Sequence, residues 1–316
     1  MPPSPDHYRQ ILGIRFYVGP VDGLLAQTSH GGLIVVPSAP VLVGLTGDPA
    51  HRQAVEGGDF ALTDSGFMVL LWAAFKQERL IRISGLRYLR TLLDWAEFRQ
   101  PGATFWIMPS ARDAIGNRAW LAEQGMTVEA ADCYLAPVYA PHGPLEDPAL
   151  LALIQSRRPR FVMINLGGGV QERLGYYLKQ ALEEAGSREL GAGSSAQSSE
   201  LAAGSPQLSG LFAAVSPSEN RGQTPGSQQA STVSSQVSAP AYRPALICTG
   251  AAIAFLSNRQ VNIPPWADRM FLGWLMRSLS EPRKFLPRYW HSLRLAALLW
   301  KHGEKSVSNE TVSNET

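Results

Sequence analysis

The run Phe161-Val-Met-Ile-Asn-Leu-Gly-Gly-Gly-Val-Gln-Glu-Arg173 constrains this chain more than any other segment. An apolar stretch of strand character ends in three glycines, Gly167, Gly168 and Gly169, and a helical pattern starts at Val170. A strand-to-helix turn without side chains lets a ligand approach the backbone, and the first N–H groups of the following helix then point at it. The positive end of the helix suits a diphosphate, and Gln171 or Glu172 in the first turn can reach a bound sugar or ribose. The spacing is neither GxGxxG nor a Walker A loop. Taken alone, such a turn serves structure as readily as ligand binding.

The same unit recurs along the chain. Residues 32–36, 60–63, 104–108, 134–138, 160–166 and 244–250 read as strands. Helical patterns cover 66–76, 86–98, 112–124, 148–155 and 170–185, with an irregular helical region up to about residue 56. Continuously apolar strands alternating with helices predict a Rossmann-like α/β fold: a mostly parallel sheet with helices on both faces. Ligands of such sheets bind beyond the carboxyl ends of the strands. Residues 187–240 break the pattern. They are mostly Ser, Gly, Ala, Gln and Pro, and read as a disordered insertion. The predicted organisation is a core over 1–186, the insertion over 187–240, completion of the core over 241–270, a helical appendage over 271–303 and a disordered tail over 304–316.

Composition narrows the function. The two cysteines, Cys133 and Cys248, lie in apolar runs and read as buried free thiols, and six scattered histidines show no metal-ligand spacing. The first residues lack the pattern of a signal peptide, and the longest apolar run, residues 67–75, is too short to cross a bilayer, so a cytoplasmic location is expected. A net charge of +2 does not single out nucleic acid, and none is expected as a partner. The absence of a Gly-x-Ser-x-Gly elbow argues against a serine hydrolase. No Asp-x-Asp pair occurs, so a sugar transferase built on this chain is expected to work without a metal, and no cofactor is expected.

Several residues are placed to carry chemistry. Asp64 follows a strand directly and can act as a general base, or it can cap the next helix. Arg82, with Ser84 and Gly85, lies at another turn before a helix, where a guanidinium can hold a phosphate. Gly250 ends the last strand. The stretch Arg157, Arg158, Arg160 reads as a solvated face. Near the C-terminus, Leu286, Tyr289, Trp290, Leu293, Ala297 and Trp300 share one helical face, while Lys284, Arg288, His291, Arg294 and Lys301 gather opposite, interrupted by Leu295, Leu298 and Leu299. A basic face beside a Trp/Leu face is the pattern of a helix lying in a membrane interface, although it can also close a core or a dimer.

Together these segments resemble the WecG/TagA/CpsF family of bacterial glycosyltransferases, from about residue 32 to 289 if the insertion is skipped. Leu166-Gly-Gly-Gly-Val-Gln-Glu172 is similar to the family's leucine-glycine–x–proline–x–glutamine-glutamate loop. Thr63-Asp-Ser-Gly66 is similar to its alanine-aspartate–x–glycine turn, and Arg82-Ile-Ser-Gly85 to its arginine–x–x–glycine turn. Pro264-Pro-Trp266, Trp274-Leu-Met-Arg277 and Glu281-Pro-Arg283 are similar to its C-terminal signature.

The resemblance implies an inverting, metal-independent transfer of an N-acetylmannosamine-type sugar from a UDP donor to a polyprenyl-diphosphate-linked acceptor. Asp64 matches the proposed base, Gln171 a donor contact, Arg82 a pocket arginine, and Arg277, Arg283 and Arg288 an appendage that closes over the site at the membrane. It also implies peripheral binding to the inner face of the cell membrane; a homo-oligomer is compatible with the same tail. The chain departs from the family at Pro37 and Ala39 (threonine and asparagine in the family), at Arg87 and Ala254 (aspartates) and at Gly273 (a glutamate). These losses point either to a changed donor specificity or to a non-catalytic member that binds nucleotide sugars in an assembly complex. A dinucleotide-dependent oxidoreductase, suggested by the glycine turn alone, lacks an acidic residue after the second strand to hold a ribose.

Overall fold

The computed structural model describes residues 7–202, 242–257 and 290–307. The chain divides into two compact units, Met1–Glu183 with Arg243–Thr316, and Glu184–Tyr242.

The first unit opens with a hairpin that the apolar patterning leaves unassigned. Strands β1 (Tyr8–Ile11) and β2 (Ile14–Tyr17) are antiparallel, joined by Leu12 and Gly13 at φ 52° and 79°. Two successive left-handed residues give the tight turn whose twist matches that of the strands. Leucine is strained there, but its side chain is fully buried and its N–H donates to Gly303 O at 2.8 Å. Helix α1 (Val21–Ser29) follows.

Then come β3 (Gly32–Val35), α2 (Ala39–Val43), α3 (Pro49–Glu56), β4 (Phe60–Leu62), α4 (Gly66–Lys76) and α5 (Gly85–Asp94). The second half supplies β5 (Thr104–Met108), α6 (Ala111–Glu123), β6 (Cys133–Leu135), α7 (Pro148–Arg157), β7 (Phe161–Ile164) and α8 (Val170–Ala202). After the insertion come β8 (Ala245–Cys248), α9 (Ala252–Leu256) and, further on, α10 (Arg294–His302). The eight strands form one sheet in the order β1-β2-β4-β3-β8-β7-β5-β6, parallel throughout except for the hairpin. The predicted α/β architecture is therefore present, with the sixth predicted strand seated in the middle of the sheet.

Burial explains the continuously apolar strands. Every residue of β3, β5, β7 and β8 is buried, because both faces are covered. Ile34, Trp106, Met163 and Ile247 meet α1, α5, α6 and α9 on one face. On the other face α8 lies flush at Gly175, where a Cβ would come within 2.6 Å of Leu33 and 3.3 Å of Ile164.

Three boundaries differ from expectation by more than two residues. Helix α5 ends at Asp94, because 95–98 turn back and bury Phe98 in the core. Strand β6 stops at Leu135, since Pro137 has no N–H to extend a ladder. Helix α8 does not end at residue 185: it runs on to Ala202, into the stretch read as insertion. Residues 203–240 lie outside the described residues.

Cys133 and Cys248 are free, the first half-buried and the second buried, as their apolar surroundings predict. Arg157 and Arg160 pair with Asp132 and Glu97 at the amino-terminal rim of the sheet.

Helix α10 packs against α2 and α4, and its partition corrects the helical wheel. Leu295 and Leu299, the apparent interruptions, form the buried face, which leaves Trp290, Leu293 and Trp300 at 76%, 53% and 79% exposure. Beyond the helix, Glu304 O accepts from Gly13 N–H, and Arg52 donates to Val307 O at 2.9 Å, which ties the tail to the first hairpin and α3.

Candidate active site

Four neighbouring strands, β4, β3, β8 and β7, end on one rim of the sheet. Their carboxyl ends carry, in that order, Asp64, Pro37, Gly250 and Gly167. At the usual strand spacing, the two outer ends are about 14 Å apart.

Thr63 organises the first edge. Its hydroxyl donates to Ile81 O at 2.6 Å and accepts from Ile83 N–H at 3.0 Å, which draws the segment after α4 back onto the end of β4. Asp64 does not cap α4. Ser65 does so, accepting from Met68 N–H at 3.2 Å. Asp64 Oδ1 instead accepts from Gly85 N–H at 3.0 Å, at the first residue of α5, whose N-cap is Ser84. Arg82 Nε donates to Asp64 O at 3.0 Å. Asp64, Arg82, Ser84 and Gly85 therefore form one cluster. Gly85 is needed for closeness: a Cβ there would press on Val36 at 3.0 Å, with Thr249 O at 3.8 Å and Asp64 Oδ1 at 4.0 Å.

The second edge is the glycine turn. A Cβ on Gly168 would strike Val41 at 2.6 Å, and Gly169 has φ +92°, so both positions exclude other residues, whereas Gly167 faces open space. Three of the amides at this helix start are already engaged, contrary to expectation. Gly169 N–H donates to Glu172 Oε2 at 2.6 Å, and Val170 and Gln171 N–H both reach Gly167 O at 3.2 Å. Glu172 sits at the third helical position, where a carboxylate can reach back to the residue before the helix. It is fully buried, and its other oxygen accepts from Gln171 Nε2 at 2.9 Å. A diphosphate at this helix start would lie beside a buried carboxylate, with the Gly169, Val170 and Gln171 N–H groups already engaged. Gly250, at φ +58°, closes against Gln171: a Cβ there would lie 3.6 Å from its amide. The two edges thus meet through Thr249 and Gly250.

Three supporting residues had no signal in the sequence. Arg173, 3% exposed, donates to Gly169 O, Gly143 O, Ala140 O and Pro141 O, clamping the turn to the loop after β6. Asp48 caps α3 and also accepts from Gly143 N–H at 3.1 Å. Burial works against its ionisation, but the N–H groups of Gly143, His51 and Ala50 and the charge of Arg173 outweigh it, so its carboxyl is held below the ordinary value. His51, also buried, directs Nε2 to Val41 O at 3.0 Å. None of the three carries a signal of its own, because the contacts that tie Arg173 and Asp48 to the loop after β6 join residues 30 or more apart in sequence. Arg277, Arg283 and Arg288 lie outside the described residues.

A doubly wound α/β domain with a polar rim at the carboxyl ends of its central strands defines the class: a nucleotide-binding type of sheet with its site near the reversal of strand order. The chain belongs to the WecG/TagA/CpsF glycosyl transferase family, whose model matches residues 9–198 and 228–308. It is a glycosyltransferase of cell-surface polysaccharide synthesis, and the family implies a nucleotide-sugar donor and a lipid-linked acceptor. A direct comparison with curated proteins gives no match.

Proposed function

We propose that the enzyme transfers an N-acetylmannosamine-type or related hexose from a UDP-sugar to a polyprenyl-diphosphate-linked acceptor, with inversion and without a metal. The observation that carries this reading is that Asp64 and Gln171 border the same rim, joined through Gly85, Thr249 and Gly250. Asp64 would take the proton of the acceptor hydroxyl as its oxygen attacks the anomeric carbon. The bond from that carbon to UDP breaks on the opposite side, and the departing diphosphate carries the electron pair away. A base fixed by Gly85 N–H is positioned before the substrate arrives, and positioning is a large part of such catalysis. Arg82 would neutralise leaving-group charge, joined by Arg277, Arg283 and Arg288 on the strength of the family resemblance.

The acceptor is bound to lipid, so the enzyme must meet a membrane. Among the described residues no helix is long and apolar enough to cross one. The exposed Trp300 of α10, with Trp290 and Leu293 just before the helix, supplies apolar side chains suited to headgroup depth. Phe75 meets Trp300 edge-on at 5.5 Å and holds it in place. Peripheral attachment to the inner face of the membrane through this surface is part of the proposal.

A thermal-shift screen of UDP-sugars, followed by transfer to a polyprenyl-diphosphate-linked sugar, tests the reading. At least one UDP-sugar should raise the melting temperature and act as donor. Stabilisation by none of them, together with absence of transfer, would refute it.

A further inference from the structure

Two buried acceptor atoms flank the glycine turn without a hydrogen-bond partner among the described residues: His51 Nδ1 and Gln171 Oε1. His51 is 5% exposed and Gln171 4%. A carbonyl oxygen only accepts, so His51 Nε2 carries the hydrogen it directs at Val41 O, and in the neutral ring Nδ1 is left as an acceptor. That atom faces the turn: a Cβ on Gly169 would lie 3.9 Å from it. The amide nitrogen of Gln171 is engaged by Glu172, which leaves its oxygen toward Gly250. An unmatched buried acceptor destabilises a fold, and two beside one turn mark a place where donors come from outside. Three amides of the turn and helix start, those of Gly169, Val170 and Gln171, are engaged by Glu172 and Gly167 O, so the two acceptors and the carboxylate lie beside few remaining donors.

We propose that the glycine turn receives a hydroxyl-bearing part of the donor instead of its diphosphate, and that His51 Nδ1 is a specificity-determining acceptor for one of those hydroxyls. This rests on the nucleotide-sugar reading above. The hydroxyl belongs to the ribose or to the transferred hexose; both offer the same O–H donor, and the diphosphate lies toward the arginines at the other edge.

Isothermal titration of the full chain separates these cases. The probes are UDP, 2′,3′-dideoxy-UDP, a UDP-hexose that stabilises the protein, its deoxyhexose analogues and inorganic pyrophosphate. In the wild type, removing the recognised hydroxyl should weaken binding about tenfold, the factor that one lost hydrogen bond supplies. A penalty between UDP and its dideoxy analogue assigns the ribose; a penalty confined to the deoxyhexose assigns the sugar. His51→Gln keeps an amide near the Nε2 position for Val41 O but has no equivalent of Nδ1. It should bind the intact ligand about tenfold more weakly, lose the deoxy penalty and leave pyrophosphate binding unchanged. His51→Asn, with an acceptor near Nδ1, should keep part of the penalty. Unchanged affinity and an unchanged penalty in His51→Gln, or no penalty for any analogue in the wild type, overturns the inference while the transferase reading stands. No binding of any UDP-sugar by the wild type refutes the transferase reading, and this inference with it.

Discussion

The Gly169 N–H donates to the carboxylate of Glu172 three residues later, at 2.6 Å, so the helix that begins after the glycine turn is closed by its own acid. A glycine-rich strand-to-helix turn ordinarily advertises an anion site. Here three of the donors are spent internally, beside a buried carboxylate. The functional weight passes to side chains around the turn and to the opposite edge, where Asp64 and Arg82 stand.

Replacing Asp64 by Asn removes the proposed base but keeps an oxygen for Gly85 N–H. Transfer should fall by about two to four orders of magnitude, while UDP binding measured by titration stays within about twofold. Full transfer activity in this variant would remove Asp64 from the mechanism.

Arg173 is buried and donates to four backbone carbonyls. Arg173→Met should cost about 3 kcal/mol in urea unfolding, because four part-buried carbonyls lose a charged donor. The variant should also loosen the 140–143 loop, visible as faster amide exchange there.

The Asp48 carboxyl has a folded pKa below its unfolded value of 3.8. Its stabilising effect is therefore fully present above that value and is lost as pH falls through the folded pKa. Glu78, held down chiefly by its bond from Trp72 and further by Arg9, acts in the same sense. Asp48→Asn keeps the cap on α3 but should flatten the fall in melting temperature between about pH 4 and pH 2, with the wild type measured beside it.

On α10, exposure separates attachment from folding. Trp290→Ser with Trp300→Ser should reduce sedimentation with anionic vesicles at least about tenfold and hardly move the melting temperature. Leu299→Ala, at a position 2% exposed, should cost about 2–4 kcal/mol of stability. Undiminished vesicle binding by the tryptophan double variant would place the membrane contact elsewhere.

Gly175→Ala sets a methyl group against Leu33, Cys248 and Ile164, where α8 lies on the sheet. A loss of about 1–3 kcal/mol is expected, since the sheet beneath cannot recede.

Much of the core could be read locally. The runs at 32–36, 104–108 and 161–164 are apolar at nearly every position because parallel strands are covered on both faces, and helices of ordinary length must alternate with them. The hairpin over 8–17 escaped because its strands are short, partly exposed and joined by a turn containing leucine. The α10 face was misjudged because a helical wheel shows which residues share a side, and not which side meets a neighbour.

The candidate site divides along the same line. Asp64, Gly85, the glycine turn and Gln171 stand at ends of strands or starts of helices, and a strand end is a local property that residue type reveals. The partners of those residues are not local. Asp64 holds a helix 21 residues away, Arg173 clamps carbonyls up to 33 residues away, and His51 faces a glycine that only the sheet brings near. The order of amino acids determined the elements, the parallel sheet and the rim where chemistry belongs, because periodicity and turn chemistry act over a few residues. Which donors at that rim are already spent, and which acceptors still wait, was decided only by the tertiary structure, because hydrogen-bond satisfaction depends on atoms that the folded chain alone makes neighbours.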